Sequence, residues 1–141
     1  MIVIEDLKNG VPIMFDCDDT LVMWLSDVEK QKRRIELVTF TDPYSGRRIK
    51  LIPNTNAIAR LKAEKLKGNT VVVWSAGGWR WARTVVKRLN LTHHVDLVMS
   101  KPMGYIDDLH CTEWMGEWVR VNKDTTLTEE AKEQTNGRET I

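Results

Sequence analysis

Two short apolar segments that each end in a polar residue constrain the fold of this chain more than any other feature. The segment VPIMF (residues 11–15) ends at Asp16, and the segment VVVW (residues 71–74) ends at Ser75. Short apolar runs without alternation are typical of strands buried on both faces of a parallel sheet, and Pro12 is tolerated near the start of such a strand. The sequence therefore predicts an α/β fold with these segments as buried strands.

Helix signals lie between and after these strands. Asn54 opens a helix whose apolar stripe ends before Gly68, and a second helix begins near Gly78 with apolar residues at the spacing i, i+3, i+4, i+7. Strands that alternate with helices favour a parallel sheet with right-handed crossovers. We therefore expect a single Rossmann-like parallel sheet flanked by helices.

Two further short strands are expected later in the chain. They are Val95–Met99 and Tyr105–Ile106, and the second of them ends at Asp107. Parallel α/β sheets place their functional sites beyond the carboxyl ends of the strands. The sequence therefore predicts that Asp16, Ser75 and Asp107 lie along one edge of the sheet.

The segment between the first two strands has the pattern of a β-hairpin. Residues 35–52 show strand-like alternation on both sides of the turn signal Asp42-Pro43-Tyr44-Ser45-Gly46. We place this hairpin in a short flap, residues 22–52, which follows the first strand. The flap belongs to one predicted domain, residues 1–123, and the polar segment 124–141 is expected to be a flexible tail.

Composition excludes several classes of protein. The chain has 141 residues, of which 42% are hydrophobic and 29% charged, and its net charge is +1, which argues against a disordered chain or a globally basic nucleic-acid binder. No apolar stretch approaches the roughly 20 residues of a membrane helix, and Glu5 and Asp6 interrupt any secretory signal. We expect a cytoplasmic protein without a membrane partner, with Cys17 and Cys111 as free thiols.

The acidic segment after the first strand carries a family resemblance. The residues Phe15-Asp16-Cys17-Asp18-Asp19-Thr20-Leu21 resemble the first signature of the haloacid dehalogenase superfamily, an apolar strand followed by Asp-x-Asp-x-Thr. The resemblance implies that Asp16 is the nucleophile and that Asp18 is the general acid and then the general base, with Thr20 among the phosphate-binding residues. A carboxylate nucleophile divides one difficult displacement into formation and hydrolysis of an aspartyl phosphate.

Two later segments resemble the second and third signatures of the same superfamily. Ser75 and Ala76 follow the second strand, and the resemblance implies that they bind the transferring phosphoryl oxygens. Small residues there let backbone amides approach an anion at a helix N-terminus. Lys101 resembles the lysine of the third signature, which would neutralise charge between Asp16 and the phosphate.

Asp107 and Asp108 resemble the fourth signature, which implies a Mg²⁺ site. Its ligands would be Asp16, the backbone carbonyl of Asp18 and one carboxylate of the Asp107–Asp108 pair, and the sequence leaves the choice within that pair open. Acids crowded into a short segment repel one another, which favours a divalent cation among them. One departure is that Lys101 lies six residues before Asp107, where many members of the superfamily place a helix.

The flap carries the candidates for substrate recognition. Trp24 could stack on a base, and Arg47 and Arg48 make the hairpin basic, so all three are expected substrate contacts. Trp79 and Trp81 open the helix after the second strand and could also stack on a base, although tryptophans on helices more often serve packing. The flap takes the place of the cap domain that larger members of the superfamily carry, so the resemblance implies an open site. The substrate could then be a macromolecule's phosphate end, or a neighbouring subunit of a homo-oligomer could cover a small substrate.

The resemblance implies a magnesium-dependent phosphomonoester hydrolase. The basic flap favours a nucleotide, as for a nucleotidase, or a polynucleotide phosphate end as the phosphorylated substrate. Two alternatives stay open at this point. One is a phosphatase that acts on a sugar phosphate, and the other is a non-catalytic binding module that retains the fold.

Overall fold

The structure is a computed structural model that describes residues 10–116 and 118–121. Two compact units are present, Met1–Lys101 and Pro102–Ile141. Both the predicted domain end at residue 123 and the predicted tail, 124–141, lie outside the described residues. The described elements of the first unit are β1 (Pro12–Asp16), β2 (Val22–Met23), α1 (Asp27–Lys32), β3 (Val38–Thr41), β4 (Arg48–Pro53), α2 (Thr55–Leu66), β5 (Thr70–Ser75), α3 (Trp79–Arg88) and β6 (Leu97–Ser100).

A three-stranded parallel sheet lies at the centre of the first unit, in the order β1-β5-β6. Val71, Val72 and Val73 of β5 are buried, as predicted for an apolar strand without alternation. The same prediction is wrong for β1, where Phe15 is buried but Met14 is 38% exposed. β6 begins at Leu97, later than expected, and the preceding Asp96 accepts a hydrogen bond on its carboxylate from the backbone N–H of Val71. The prediction of an α/β fold that contains a parallel sheet and helices is confirmed.

A separate antiparallel sheet contains the predicted hairpin and adds one strand to it. The first strand of the hairpin begins at Val38 rather than at residue 35, because Arg34–Glu36 form a 3₁₀ helix. β3 and β4 pair across the turn with Phe40 opposite Ile49, and β2 pairs with the other edge of β4, in the order β2-β4-β3. The sequence did not predict β2, because two residues are too few for alternation to be recognised. Its position is set by pairing, since Val22 lies opposite Pro53.

The two longer helices begin and end where the sequence predicts. The Asn54 side chain accepts a hydrogen bond from the backbone N–H of Ala57 and caps α2. After α2, Gly68 adopts a φ of +87°, a left-handed conformation that glycine reaches without steric cost. α3 buries a stripe that includes Ala82 and Val85, and it contacts β5 and β6.

The strand predicted at Tyr105–Ile106 is wrong. Both residues lie in the second unit without regular secondary structure, and Ile106 is fully exposed. A pair of apolar residues forms a strand only if a neighbouring strand accepts its backbone hydrogen bonds, and the described residues of the second unit contain no strand. Asp107 therefore does not follow a strand, and the second unit has a 3₁₀ turn at Cys111–Glu113.

Cys17 is buried, Cys111 is partly exposed, and both are free thiols. Among the residues that the structure describes, no helix combines the length and apolar character needed to cross a membrane.

Candidate functional site

Three neighbouring strands end at one edge of the parallel sheet. β1 ends at Asp16, which lies opposite Trp74, and β5 ends at Ser75, which lies opposite Ser100 of β6. Lys101 follows β6 directly. Because the carboxyl ends of parallel strands meet at one edge, residues from three distant parts of the chain come together there. The structure thus brings together Asp16, Ser75 and Lys101.

The carboxylate of Asp16 has a different neighbour at each oxygen. Oδ1 accepts a hydrogen bond of 2.9 Å from the backbone N–H of Cys17. Oδ2 lies 3.9 Å from Nζ of Lys101, and the Asp16 side chain is 34% exposed. Oδ2 accepts no hydrogen bond from any residue that the structure describes, so it is the oxygen of Asp16 that remains open to a ligand.

Burial raises the pKa of Asp16 above the ordinary value of a carboxyl group. The hydrogen bond from Cys17 and the charge of Lys101 act in the opposite direction, while the carboxylates of Asp18 and Asp19 raise the pKa further. The largest cause is loss of hydration around the ionised oxygens. The fold therefore holds Asp16 in an environment that disfavours its charge, which is common at functional carboxylates.

A tight turn follows β1 and keeps the acidic segment close to the strand end. The carbonyl of Cys17 accepts hydrogen bonds from the backbone N–H groups of Thr20, Leu21 and Val22, at 3.2, 2.9 and 3.1 Å. Asp19 adopts a φ of +55°, which aspartate tolerates better than most residues. Thr20, predicted to bind phosphate, thus contributes its backbone to the turn, and Leu21 and Val22 return to the core.

Asp18 accepts two indole hydrogen bonds on one oxygen. Its Oδ1 receives the Nε1–H groups of Trp24 at 2.8 Å and of Trp81 at 3.0 Å. Trp81 is 6% exposed and packs edge to face against Phe40, with 5.9 Å between the ring centroids. Sequence reasoning assigned Trp81 to packing and missed this contact, because no local spacing relates two residues 63 positions apart.

The turn after β5 uses the hydroxyl and the carbonyl of Ser75. Ser75 is fully buried, its Oγ accepts the backbone N–H of Gly77 at 3.0 Å, and its carbonyl accepts those of Gly78 at 3.0 Å and Lys101 at 2.8 Å. Gly78 has a φ of +97°, and a Cβ there would collide with the Tyr44 hydroxyl. Glycine is therefore required at this position, where the turn leads into α3.

An open cavity of about 680 Å³ lies beside the antiparallel sheet. Trp24 lines it, so one residue adjoins both the cavity and Asp18. The cavity lining contains two acidic and four basic side chains, so its net charge is positive. The basic residues are Lys30, Arg47, Arg48 and Lys50.

The two acids predicted as further metal ligands lie in the second unit. Asp107 and Asp108 are exposed, and a hydrogen bond from the backbone N–H of Leu109 lowers the pKa of Asp107. Across residues 10–116 and 118–121, no three His, Cys, Asp or Glu side chains form a group that could hold a metal ion. The Mg²⁺ site stays a prediction.

The chain was also compared with known proteins. No protein-family model, no curated protein and no solved structure matches it.

Among the remaining predicted site residues, Ala76 is exposed in the turn after β5, and Arg47 and Arg48 line the cavity with Trp24.

Replacing Asp16 by Asn should raise the temperature of thermal unfolding in metal-free buffer at neutral pH. The neutral amide avoids the burial of a charge, and its oxygen can still accept the Cys17 N–H. As the pH falls through the raised pKa, wild-type Asp16 becomes protonated and no longer loses stability by burying a charge. The difference in unfolding temperature between the two proteins should therefore shrink towards zero. Calorimetric scans from neutral to mildly acidic pH measure this difference.

A variant that unfolds at a lower temperature than the wild type at neutral pH would contradict this expectation. It would mean that attraction between Asp16 and Lys101 outweighs the loss of hydration.

Proposed function

We propose that the protein is a cytoplasmic, magnesium-dependent phosphomonoester hydrolase that forms an aspartyl phosphate at Asp16. The observation that carries the proposal is the strand edge, where Asp16 lies beside Lys101 and Ser75 ends the adjacent strand. Four segments that resemble the signatures of the haloacid dehalogenase superfamily support it by their order along the chain. The Rossmann-like sheet of that superfamily, with a short antiparallel flap in place of a cap, is part of the proposal.

Asp16 is the nucleophile in this proposal. Its Oδ2 is open to a ligand, and the ammonium group of Lys101 at 3.9 Å would attract a phosphate and offset its charge. Attack by Oδ2 forms the aspartyl O–P bond as the bond from phosphorus to the leaving oxygen breaks. Water then attacks phosphorus, which releases inorganic phosphate and restores Asp16.

Asp18 is the general acid and base in this proposal. Its Oδ1 already accepts two indole hydrogens, whereas Oδ2 accepts no hydrogen bond from the part of the chain that the structure describes. Oδ2 would protonate the leaving oxygen and later remove a proton from the attacking water. By the resemblance, Ser75, Thr20 and the backbone of Ala76 would complete the phosphate contacts, and the Ser75 hydroxyl already accepts the Gly77 N–H.

The donor chemistry of the site suits Mg²⁺. Asp16 and Asp18 offer oxygen ligands, which hard cations prefer, and a cation would stabilise the Asp16 carboxylate that burial disfavours. The resemblance adds Asp107 or Asp108 as a further ligand. When bound, the ion would offset negative charge on the phosphoryl oxygens.

The flap cavity favours a nucleotide or a nucleic-acid phosphate end as the substrate. Its net positive lining would attract a second anionic group of the substrate, and the exposed ring of Trp24 offers a surface on which a base can stack. Because Trp24 also contacts Asp18, a substrate held in the cavity would lie next to the proposed acid.

Substitution of the two aspartates tests the mechanism. Asp16→Asn should abolish hydrolysis of p-nitrophenyl phosphate, because the amide is not a nucleophile, and Asp18→Asn should slow a substrate with a poor leaving group by about 10²- to 10⁴-fold. Mass spectrometry of acid-quenched wild-type protein should find phosphate on the peptide that contains Asp16. Substantial turnover by a folded Asp16→Asn variant, checked by circular dichroism, would rule out Asp16 as the nucleophile.

Metal removal tests the cofactor. Treatment with EDTA should abolish hydrolysis of p-nitrophenyl phosphate, and excess Mg²⁺ should restore it, since the proposed ligands are oxygens that suit this ion. Zn²⁺ should restore less, because the proposed ligand set contains no His or Cys. Unchanged turnover after complete chelation would show that the reaction needs no metal.

The flap prediction uses two charge-matched double variants. Arg47→Ala with Arg48→Ala should raise KM for a nucleoside monophosphate by about 2- to 10-fold, the range for two exposed charge pairs, and should reduce its salt dependence. Turnover of p-nitrophenyl phosphate, which is too small to reach the cavity, should stay as in the wild type.

The control for the flap variant replaces Lys62 and Lys87 by Ala. Both lysines are exposed on α2 and α3, outside the cavity lining, so the net charge changes by the same amount. If both double variants raise KM equally, the effect comes from overall charge and the cavity is not a substrate contact.

A further inference from the structure

Asp18 is held by two tryptophans that come from different parts of the first unit. Trp24 follows β2 of the antiparallel sheet, and Trp81 belongs to α3, which packs on the parallel sheet. Their indole Nε1–H groups reach the same atom, Asp18 Oδ1, at 2.8 and 3.0 Å. Asp18 therefore connects the elements of both sheets through one carboxylate oxygen.

Two donors on one oxygen fix the orientation of the carboxylate. A carboxylate oxygen has two lone pairs, so the two N–H groups occupy Oδ1 fully. Rotation about the bond between Cβ and the carboxyl group would break both contacts. Oδ2 accepts no hydrogen bond from the residues that the structure describes, so the two oxygens of Asp18 have different surroundings and cannot exchange roles without cost.

We propose that Trp24 and Trp81 are positioning residues that hold Asp18 so that Oδ2, rather than Oδ1, faces the leaving oxygen. This inference rests on the proposed function, because it assigns the indole pair to the general acid of that reaction. Neither tryptophan exchanges protons with the substrate. The pair acts through the geometry of Asp18, where an acid held in one orientation transfers a proton more effectively than a freely rotating one.

The two tryptophans differ in how firmly they are held. Trp81 is 6% exposed, packs on Phe40, and borders Gly77 in the turn after β5. Trp24 is 44% exposed and lines the flap cavity, although its backbone N–H also donates to Asp19 at 3.2 Å. Trp81 thus provides a fixed donor, and Trp24 provides a donor that a ligand in the cavity can contact.

The consequence is a loss of activity that depends on the leaving group. Trp→Phe keeps an aromatic ring at each position but removes the N–H donor together with the five-membered part of the indole. An alkyl phosphate needs a proton on its leaving oxygen, whereas p-nitrophenolate leaves readily without one. Misplacement of Asp18 should therefore slow phosphoryl transfer from the alkyl phosphate to Asp16 much more than transfer from p-nitrophenyl phosphate. Hydrolysis of the aspartyl phosphate, which also uses Asp18, should slow equally for both substrates.

The kinetic test compares Trp24→Phe, Trp81→Phe and a matched control. In single-turnover measurements, each of the first two variants should lower the rate of phosphoryl transfer from β-glycerophosphate to Asp16 about 10- to 100-fold, part of the range for a positioned acid, while the rate of transfer from p-nitrophenyl phosphate falls less than about threefold. The control is Trp79→Phe, also on α3, whose exposed ring lies over Arg80 and Arg83. It should change neither rate. Equal losses on both substrates, or no loss on either, would overturn the positioning role.

A second measurement reads the hydrogen bonds without any turnover. In ¹⁵N–¹H spectra of the indole groups, Asp18→Ala should shift the Trp24 and Trp81 signals and leave that of Trp79 in place. If neither signal moves in the folded variant, the indole pair does not bind Asp18 and the inference fails. If both move but the wild type hydrolyses no phosphomonoester, the proposed function fails, and the catalytic role of the pair fails with it.

Discussion

The parallel pairing of β1 with β5 is the interaction on which the candidate site depends. The ladder runs from Pro12 opposite Thr70 to Asp16 opposite Trp74. A shift of one residue would turn the Asp16 side chain to the opposite face of the sheet. The contact with Lys101 follows from this register. At 3.9 Å between partly exposed groups, that ion pair contributes little stability by itself, so backbone hydrogen bonds and burial hold the two charges at the edge.

The second constraint is the position of the antiparallel sheet beside α3. Phe40 of β3 packs on Trp81, and the same tryptophan donates to Asp18. Apolar packing therefore determines where a polar contact can form. The flap therefore lies next to Asp18. Trp24 both lines the cavity and contacts Asp18, the proposed general acid.

Local patterns predicted most of the regular structure. The valines of β5 are buried as their uninterrupted run indicates, and Asn54 and Gly68 mark the ends of α2 by capping chemistry that acts within a few residues. The same reasoning was wrong at Tyr105–Ile106, since an apolar pair needs a neighbouring strand to become one. It also missed Val22–Met23, which is a strand only because β4 lies beside it.

By itself, the sequence determined the acidic segment at the end of β1, with Asp16 and Asp18 two residues apart, and the order of Ser75 and Lys101 after it. Hydrophobic periodicity and turn chemistry are local, so these features can be recognised without coordinates. The tertiary structure alone decided that Trp81 meets Asp18 and that burial raises the pKa of Asp16. Both depend on which distant residues pack together and on how much water they exclude, and no local spacing in the chain encodes that.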